Sequence, residues 1–304
     1  MAALLDGRAL AGEMQGQVAT DVARLAGEGT DLTLFALQVG DDPGTRAYGR
    51  VLRRACREVG MGFEGKELPG ETSQSALLDE IEGLNAERNA HGILVHRPLP
   101  RHLDPHAVSE AVAPDKDVDG LHPFNLGRLL TGQPGLVPAT PQAVRELLLG
   151  FGHPPQGKHT VVIGRSDIVG KPLAALLMQK DPGADATVTL AHSHTTDLRR
   201  HTRAADIVVV AVGRPAFLRG DMIRPGAVVI DVGINSVPNP ARPGTRKLVG
   251  DVAFEEVAAV AGAISPVPGG VGPVTVAAML RNTVQAHGWR QTRREGPSAA
   301  RETF

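Results

Sequence analysis

Apolar and polar residues alternate along the chain with two periods, one typical of helices and one of strands. Residues 7–28 carry apolar side chains at spacings of four and three, which is the period of an amphipathic helix. These residues are Leu10, Met14, Val18, Val22 and Leu25. Residues 207–212, by contrast, form an apolar run of strand length that is nearly all β-branched, as expected for a central strand of a parallel sheet.

The same criteria assign an element to most of the chain. Strands are predicted over 32–39, 63–68, 91–95, 159–163, 186–191, 207–212, 227–232, 248–252 and 263–266. Helices are predicted over 7–28, 45–59, 72–88, 105–112, 142–149, 172–178, 197–205, 254–260 and 274–287. Because strands and helices alternate, the predicted fold class is α/β, with parallel sheets covered by helices.

One stretch, 121–140, has turn residues and little periodicity, and we interpret it as a link between two domains. An N-terminal α/β domain is then expected over 1–120 and a Rossmann-type parallel-sheet domain over 141–272. The final helix, 273–289, is expected to pack back on the first domain. Residues 290–304 are polar and unpatterned, and we expect a disordered tail there.

Composition narrows the class of protein. The net charge of −1 offers no broad basic surface for nucleic acid, and no apolar run approaches the length of a membrane span. No signal peptide is read at the N-terminus. The single cysteine, Cys56, excludes an internal disulfide and is expected to be a small, half-buried apolar residue of a helix.

The segment from Thr160 to Pro172 carries the first candidate chemistry. It reads as a buried strand, a turn bounded by Gly164 and Gly170, and the first turn of a helix. This arrangement directs backbone N–H groups and the positive end of a helix dipole at one point, which suits a phosphate group. The turn is not a G-x-G-x-x-G motif, so by itself it is also compatible with an ordinary strand-to-helix connection.

The end of the next strand distinguishes between two cofactors. An NAD site usually has Asp or Glu there, which binds the ribose 2′-hydroxyl. Residues 191–195 read Ala-His-Ser-His-Thr and contain no acid, whereas Arg165 lies in the first turn. A guanidinium and hydroxyls bind a 2′-phosphate that a carboxylate would repel, so NADP is expected.

A metal site is the competing interpretation of His192 and His194, since alternate residues of a strand share a face. No third ligand of matching spacing follows, so we expect no metal. An exposed histidine at a strand end is the simpler interpretation of His194.

Six motifs occur in order along the chain. They are 39–43 followed by Tyr48, 92–100, 114–120, 164–172, 231–235 and 266–275. Together they resemble the bifunctional methylenetetrahydrofolate dehydrogenase/methenyltetrahydrofolate cyclohydrolase family over roughly residues 2–288. The resemblance implies an N-terminal catalytic, folate-binding domain, a C-terminal NADP domain, and a cleft between them. It also implies a cytoplasmic homodimer that acts on tetrahydrofolate derivatives in one-carbon metabolism and purine biosynthesis.

The resemblance implies roles for particular residues. Tyr48 is similar to the family tyrosine that packs on the pterin, and Asp119 to the carboxylate that binds the pterin amino edge. Pro268, Gly269 and Gly272 resemble the loop that lines the folate and the nicotinamide. The residues that match cofactor contacts are Gly164, Arg165, Ser166, Ser193, Ile234 and Thr275. Without the resemblance, Tyr48 would be interpreted as a core aromatic and Asp119 as a turn cap.

The chain departs from the family pattern at two neighbouring positions. The family has a lysine four residues after the tyrosine, where both side chains would project into the cleft; here Leu52 takes that place. His96 occupies the position where the family has the glutamine that partners this lysine. Arg97 follows at a position where the family usually has an apolar residue. Oxidation of the methylene bridge needs mainly positioning, whereas hydrolysis of the methenyl product needs proton transfer.

Three outcomes are open for the hydrolysis. The first is that dehydrogenase activity is retained and cyclohydrolase activity is weakened or lost, because leucine cannot transfer a proton. The second is that His96 replaces the lysine as acid and base, so that both activities remain, with Tyr48, His96 and Asp119 as the catalytic set. The third is that Leu52 only packs and that hydrolysis depends on water and Asp119.

Two other classes of protein also fit parts of the pattern. An NADP-dependent oxidoreductase of the amino-acid or shikimate type would use a Lys–Asp pair, for which Lys116 and Asp117 are the candidates. A folate- or nucleotide-binding module whose catalysis has decayed is the non-enzymatic alternative.

Overall fold

A computed structural model describes residues 2–133 and 135–294, which fold as two compact units. Each unit contains one parallel sheet, and we name the units by the number of strands in that sheet. The six-stranded unit comprises residues 2–12, 129–133 and 140–275. The three-stranded unit comprises residues 13–128, 135–139 and 276–294.

The elements follow one another in the predicted alternation. The strands are β1 (Ala3–Leu4), β2 (Thr33–Val39), β3 (Gly62–Leu68), β4 (Gly92–Val95), β5 (His159–Ile163), β6 (Thr187–Ala191), β7 (Ile207–Val210), β8 (Val228–Asp231), β9 (Asn235–Pro238), β10 (Arg246–Val249) and β11 (Ala263–Ile264). The helices are α1 (Gly7–Gly27), α2 (Pro43–Glu58), α3 (Gln74–Ala86), α4 (Pro105–Ala111), α5 (Pro123–Leu130), α6 (Ala139–Gly150), α7 (Gly170–Leu177), α8 (Leu198–Ala204), α9 (Phe254–Ala258) and α10 (Val271–Arg294).

The sheet of the three-stranded unit has the order β3-β2-β4, and all of its strands are parallel. The central strand β2 is buried over most of its length, because helices cover both faces of a parallel sheet. Its core includes side chains from the sheet and from α3 and α4. These are Leu37, Val39, Leu77, Ile81, Ala90, Ile93, Leu103, Val108 and Val112.

Helix α2 is fixed at its start by local chemistry and along its length by burial. The Asp42 carboxylate accepts a hydrogen bond from the Thr45 backbone N–H at 2.7 Å, and Pro43 occupies the first turn. Leu52, Ala55 and Cys56 are buried. A helix so anchored presents Tyr48 at a defined place, one turn before Leu52.

The sheet of the six-stranded unit has the order β1-β11-β8-β7-β5-β6, again all parallel. Strands β7 and β8 are completely buried, as their β-branched runs predict. Strands β6 and β7 lie on opposite sides of β5, so the direction of winding reverses at β5. In open α/β sheets, ligands bind outside the carboxyl ends of the strands at such a point.

The structure differs from the sequence-based expectation in several elements. Strand β1 pairs with β11, so the first residues belong to the six-stranded unit; two residues are too few to show a period. The stretch 121–140 holds helix α5, although it carries little periodicity. Strand β9 was not predicted, and it forms an antiparallel hairpin with β10.

The last helix is longer than predicted at both ends. Helix α10 begins at Val271 and continues to Arg294, so the tail prediction is wrong for 290–294, while 295–304 lie outside the described residues. Its residues from Val276 onward belong to the three-stranded unit, where Asn282 Nδ2 donates to the Val118 carbonyl at 2.8 Å. None of the described helices combines the length and the hydropathy that a bilayer crossing requires.

Candidate functional site

Tyr48 and His96 lie together in the three-stranded unit. Tyr48 is half-buried on α2, and its ring meets the His96 imidazole edge-to-face, with centroids 5.8 Å apart. His96 follows β4, and its backbone N–H donates to the Leu37 carbonyl of β2 at 2.8 Å, which fixes the residue at the sheet edge. Burial lowers the pKa of His96 to about 4, so the imidazole is neutral at pH 7.

Asp119 is the group in this unit whose ionisation is poised near neutrality. Burial, and then the charge of Asp117, raise the pKa of Asp119 to about 7, and Arg97 opposes them. Burial and the Asp119 charge in turn raise the pKa of Tyr48, so the phenol stays protonated. The structure thus brings Tyr48, His96 and Asp119 into one neighbourhood.

Leu52, at the position where the family has lysine, is fully buried with 0% of its surface exposed. Leu52 therefore packs in the core of the unit, where an apolar side chain is expected. Burial also raises the pKa of the adjacent Cys56 thiol to about 12, so the cysteine is a core residue. Arg54 is exposed and pairs with Glu58 at 2.7 Å.

Arg97, where the family is usually apolar, has structural partners. Its guanidinium donates to the Pro105 carbonyl at 3.0 Å and to the Ser109 hydroxyl at 2.6 Å. Both partners belong to α4, so Arg97 ties this helix to the segment that follows β4.

Lys116 does not offer a free amine for catalysis. Its Nζ is buried and donates to the carbonyls of Leu84, Asn85 and Glu87 at 3.0, 2.8 and 2.7 Å. Three acceptors engage the three protons of an ammonium group, which here closes the end of α3. The Lys–Asp pair of the amino-acid or shikimate type of dehydrogenase is thus absent at Lys116.

In the six-stranded unit, the turn after β5 is built from glycines that cannot be replaced without movement. Gly164 has φ +120°, and a Cβ there would lie 2.2 Å from the Ala211 carbonyl oxygen. A Cβ on Gly170 would lie 2.0 Å from the Gly164 oxygen. The Ser166 hydroxyl accepts from the N–H groups of Val169 and Gly170 at the start of α7. The tight turn leaves its tip open to a ligand.

The side chains at this tip fit an anion. Residues 165–168 are exposed, so Arg165 presents its guanidinium to solvent beside the start of α7. The neighbouring strand ends at the same edge, because the Gly164 N–H donates to the Ala191 carbonyl at 2.9 Å. Ser193 and His194 are exposed in the turn that follows. A 2′-phosphate of NADP fits this edge, since the two turns offer a cation and a hydroxyl and the second carries no acid.

The ring of His192 is held by the backbone of that turn. His192 Nδ1 accepts from the His194 N–H at 3.2 Å, and the two rings are 6.2 Å apart. Within 2–133 and 135–294, no three His, Cys, Asp or Glu side chains are grouped as metal ligands would be.

Two buried carboxylates that the sequence analysis did not single out organise the ends of β7 and β8. Asp251 accepts hydrogen bonds from the backbone N–H groups of Val212, Gly213 and Arg214 at 2.7 to 2.9 Å, and from Asn235 Nδ2 at 2.8 Å. These donors come from the loop after β7 and from Asn235, the first residue of β9. Asp251 therefore holds that loop and the start of β9 in place, like an anion bound in a backbone nest.

Asp231, at the end of β8, fixes the backbone of Asp251 by a hydrogen bond. It accepts from the N–H groups of Gly233, Asp251 and Val252, while burial raises its pKa to about 6. A Cβ on Gly250 would lie 1.8 Å from Asp231 Oδ2, so the Gly-Asp sequence at 250–251 is required for this packing. That short sequence after a strand is the signal that could have identified the pair.

Two further predicted cofactor residues lie in the same unit. Ile234 follows β8 and is 65% exposed, which is unusual for a large apolar side chain and suits contact with a ligand. Thr275 is half-buried on α10, and its hydroxyl donates to the Val271 carbonyl at 3.1 Å.

The predicted folate loop also belongs to the six-stranded unit. Gly269 has φ +114° and accepts from the Gly7 N–H at 2.8 Å, while Pro268 is exposed. The guanidinium of Arg8 lies against Gly269, 2.6 Å from where a Cβ would be. Gly272, in the first turn of α10, has open space around it. The start of the chain thus braces the loop.

Comparison with known proteins accords with both units. The sequence model of the tetrahydrofolate dehydrogenase/cyclohydrolase catalytic domain matches residues 5–119, and that of the NAD(P)-binding domain of the same family matches residues 138–291. The bifunctional protein FolD of Parvibaculum lavamentivorans is 50% identical over 288 residues, which cover 94% of this chain and 95% of that protein.

Solved structures give the same result. The bifunctional FolD dehydrogenase/cyclohydrolase of Campylobacter jejuni has a TM-score of 0.88 and 39% identity, covering 95% of this chain and 100% of its own. The methylenetetrahydrofolate dehydrogenase-cyclohydrolase of Trypanosoma brucei, solved with NADP and an inhibitor, has a TM-score of 0.89 and 41% identity, covering 96% and 99%. The chain belongs to the tetrahydrofolate dehydrogenase/cyclohydrolase family.

Proposed function

We propose that the protein oxidises 5,10-methylenetetrahydrofolate to 5,10-methenyltetrahydrofolate with NADP+. The observation that carries this proposal is the pair of turns after β5 and β6, where glycines open a phosphate site and Arg165 stands beside an acid-free strand end. Membership of the family and the NADP complex of the Trypanosoma brucei relative support the same cofactor.

The cofactor would be held by the six-stranded unit. Gly164 and Ser166 border the phosphate turn, Arg165 and Ser193 bind the 2′-phosphate, and Ile234 and Thr275 contact the nicotinamide half. When bound, NADP+ supplies the acceptor for the hydride of the substrate methylene group. Asp251 keeps the loop after β7 and the start of β9 in position, so little reorganisation is needed when the ligands arrive.

In the three-stranded unit, Tyr48 and Asp119 would hold the folate. The half-buried ring of Tyr48 offers a flat face and a protonated hydroxyl to the pterin. Asp119 accepts hydrogen bonds from the pterin amino edge, and a positive partner there would favour its ionised form. The oxidation creates a cation delocalised over two nitrogens and requires no proton transfer, so these positioning contacts are sufficient.

The cyclohydrolase reaction is proposed to be weakened. Hydrolysis of the methenyl group requires water to lose a proton and a ring nitrogen to gain one. Leu52 is buried and carries no proton at the position where the family has lysine. The amine that would mediate this transfer is therefore missing.

His96 is a poor replacement for that amine. With its pKa lowered to about 4, it is neutral at pH 7 but a weak base, far from the pKa that suits transfer near neutrality. Asp119, with its pKa raised to about 7, is the better candidate for whatever hydrolysis remains. Residual cyclohydrolase activity is accordingly assigned to Asp119 and water, and a fully bifunctional enzyme with His96 as acid and base is the less favoured alternative.

A paired assay tests the proposal. Purified protein is given methylenetetrahydrofolate with NADP+ or NAD+, and separately methenyltetrahydrofolate, whose absorbance falls on hydrolysis. We expect substrate-dependent NADPH formation and hydrolysis close to the uncatalysed rate. Rapid hydrolysis in the wild type would refute the weakened cyclohydrolase; NADP and folate binding without turnover would instead support the decayed binding module.

The homodimer and the cytoplasmic location that the resemblance implies are part of the same proposal, as is a supply of one-carbon units for purine biosynthesis. The subunit number is measured by light scattering of the purified chain. A monomer with full dehydrogenase activity would remove the dimer from the proposal without affecting the chemistry.

A further inference from the structure

A groove of about 290 Å³ opens in the three-stranded unit between α2 and the face of β2 and β3. Two glycines keep it open, Gly49 on α2 and Gly65 on β3. A Cβ on Gly65 would lie 3.1 Å from Arg53 Nη2 and 3.0 Å from the Phe63 ring, and one on Gly49 would lie 3.6 Å from His96 Nε2. Any longer side chain at these positions would enter the groove.

Helix and strand stability do not account for these glycines. Glycine inside a helix costs about 1 kcal/mol relative to alanine, and glycine also weakens a strand interior. Both glycines lie within their elements and face the same space. Gly65 is explained by the close approach of the Phe63 and Arg53 side chains, whereas Gly49 leaves open space beside His96 Nε2.

The walls of the groove are positively charged. Arg46, Arg50, Arg53 and Lys66 line it, with Glu67 as the one carboxylate of the lining. Lys66 is paired with Glu80 at 2.7 Å, and Arg46 lies 3.7 Å from Glu67. Acidic side chains thus partly neutralise Lys66 and Arg46, and the other two arginines of the lining are the main source of positive charge in the groove.

Arg50 and Arg53 are those two arginines. Neither belongs to an ion pair among the side chains that the structure describes. The Arg53 guanidinium is 5.1 Å from the centre of the Phe63 ring, a cation–π contact that orients it before any ligand arrives. Planar guanidinium groups in such a position bind carboxylates and phosphates through two parallel hydrogen bonds.

The floor of the groove is polar although it is buried. Gln38 and His96 line it and are each only 6% exposed. Gln38 Nε2 donates to the Gly40 carbonyl at 2.9 Å, which leaves its side-chain oxygen. The His96 ring contacts Tyr48 edge-to-face, and its Nε2 lies beside Gly49 at the groove.

We propose that this groove binds an anion that carries two or more carboxylate or phosphate groups, with Arg50 and Arg53 on its charges and His96 donating a ring N–H. Such groups could come from a free oligophosphate or from the γ-linked glutamyl carboxylates of a folate. The site does not depend on the proposed dehydrogenase. Because His96 also contacts Tyr48, an occupied groove holds the imidazole in one orientation beside the tyrosine.

Binding is measured by calorimetry on the full chain with saturating NADP+, so that the turn after β5 is filled. The probes are pyrophosphate and tri-γ-glutamate. The double variant Arg50→Ala/Arg53→Ala should lower the affinity for the probe by at least about tenfold, since two charge-assisted contacts are lost. Arg57→Ala, which removes a charge from the same helix outside the groove, should change the affinity less than about twofold. Both arginines are exposed, so the unfolding midpoint without ligand should fall only by the small amount that the Arg53–Phe63 contact contributes.

Gly49→Leu provides a second, steric variant, since leucine favours the helix and fills the groove. It should abolish binding while the unfolding midpoint is equal or higher. Binding of pyrophosphate alone identifies a free anion as the ligand, and binding of tri-γ-glutamate alone identifies the folate tail. If neither probe binds at 10 mM, on the order of the weakest useful affinity, or if the double arginine variant binds as the wild type does, the site does not exist.

Discussion

The rings of Tyr48 and His96 meet edge-to-face, with centroids 5.8 Å apart and planes at 87°. This contact joins α2 to the segment after β4, the two places where the chain departs from the family pattern. Leu52 lies one turn along α2 from Tyr48 and is buried. Leucine at position 52 therefore contributes to the core, whereas histidine at position 96 places an aromatic ring against Tyr48.

Restoring the family pair should restore hydrolysis. In Leu52→Lys/His96→Gln the amine regains a partner, and we expect methenyltetrahydrofolate hydrolysis to rise by about a hundredfold or more, the usual contribution of a positioned acid or base. Oxidation should change much less, because it needs no proton transfer. Both rates are followed by absorbance on the same preparation.

The matched control is Leu52→Met/His96→Gln, which has a flexible side chain of similar volume but no proton to give. It should hydrolyse no faster than the wild type. A lysine at a buried position destabilises the fold, so unfolding curves must show that the variant is folded at the assay temperature. A folded lysine variant with no gain in hydrolysis would contradict the assignment of the loss to position 52.

The raised pKa of Asp119 makes stability depend on pH in a definite direction. The native carboxyl keeps its proton up to a pKa of about 7, whereas the unfolded carboxyl ionises near 4. The native state therefore binds more protons, and this contribution to the free energy of unfolding is complete below about pH 4 and is lost as pH rises to about 7. Asp119→Asn should abolish it.

The measurement is chemical denaturation of both proteins from pH 5 to 8. The difference between the two proteins isolates Asp119. Asp231, whose pKa is raised to about 6, makes the same contribution to the pH dependence of the free energy of unfolding in both, so it cancels. His91 and His96, with pKa values lowered to about 4, act in the opposite direction below about pH 6.5 and also cancel. Parallel curves for the two proteins would exclude the raised pKa.

Asp251→Asn should weaken cofactor binding more than folate binding. The carboxylate accepts four hydrogen bonds, three from backbone N–H groups, and an amide presents one acceptor oxygen and an NH₂ that opposes the remaining donors. Each unsatisfied buried donor costs about 1–3 kcal/mol, so we expect the free energy of unfolding to fall by several kcal/mol. KM for NADP+ should rise at least about tenfold, while KM for the folate changes little.

Asp221→Asn is the control, an exposed carboxylate of the same unit that pairs with Arg199. It should leave both KM values unchanged. An Asp251→Asn protein that loses stability but keeps its KM for NADP+ would show that the network serves only folding.

Arg165→Gln should remove the preference for NADP+. The guanidinium is exposed at the phosphate turn, and losing a charge-assisted contact to a 2′-phosphate raises KM for NADP+ by about ten- to a hundredfold. NAD+ lacks that phosphate, so its KM should change less than about twofold. The control is Lys180→Gln, which removes a positive charge beyond the far end of α7 and so tests the effect of net charge alone. Equal changes of KM for NADP+ and NAD+ in Arg165→Gln would refute the role of Arg165.

Periodicity and local chemistry were sufficient for most of the fold. The helical spacing in 7–28, the β-branched strands β7 and β8, and the capped start of α2 are all readable from neighbouring residues. The phosphate turn was predicted because glycine at Gly164 and Gly170 answers a local backbone requirement. Strand β1 escaped prediction because it exists only through its pairing with β11.

The sequence by itself determined the family, the α/β class, the NADP-type turn and the absence of a lysine at position 52. Only the tertiary structure decided that Leu52 is buried, that three carbonyls bind Lys116, and that Asp251 joins the loop after β7 to the start of β9. These properties depend on groups far apart in the chain. Burial and hydrogen-bond partners, and hence pKa values, are set by which segments come together, and a linear pattern does not contain that information.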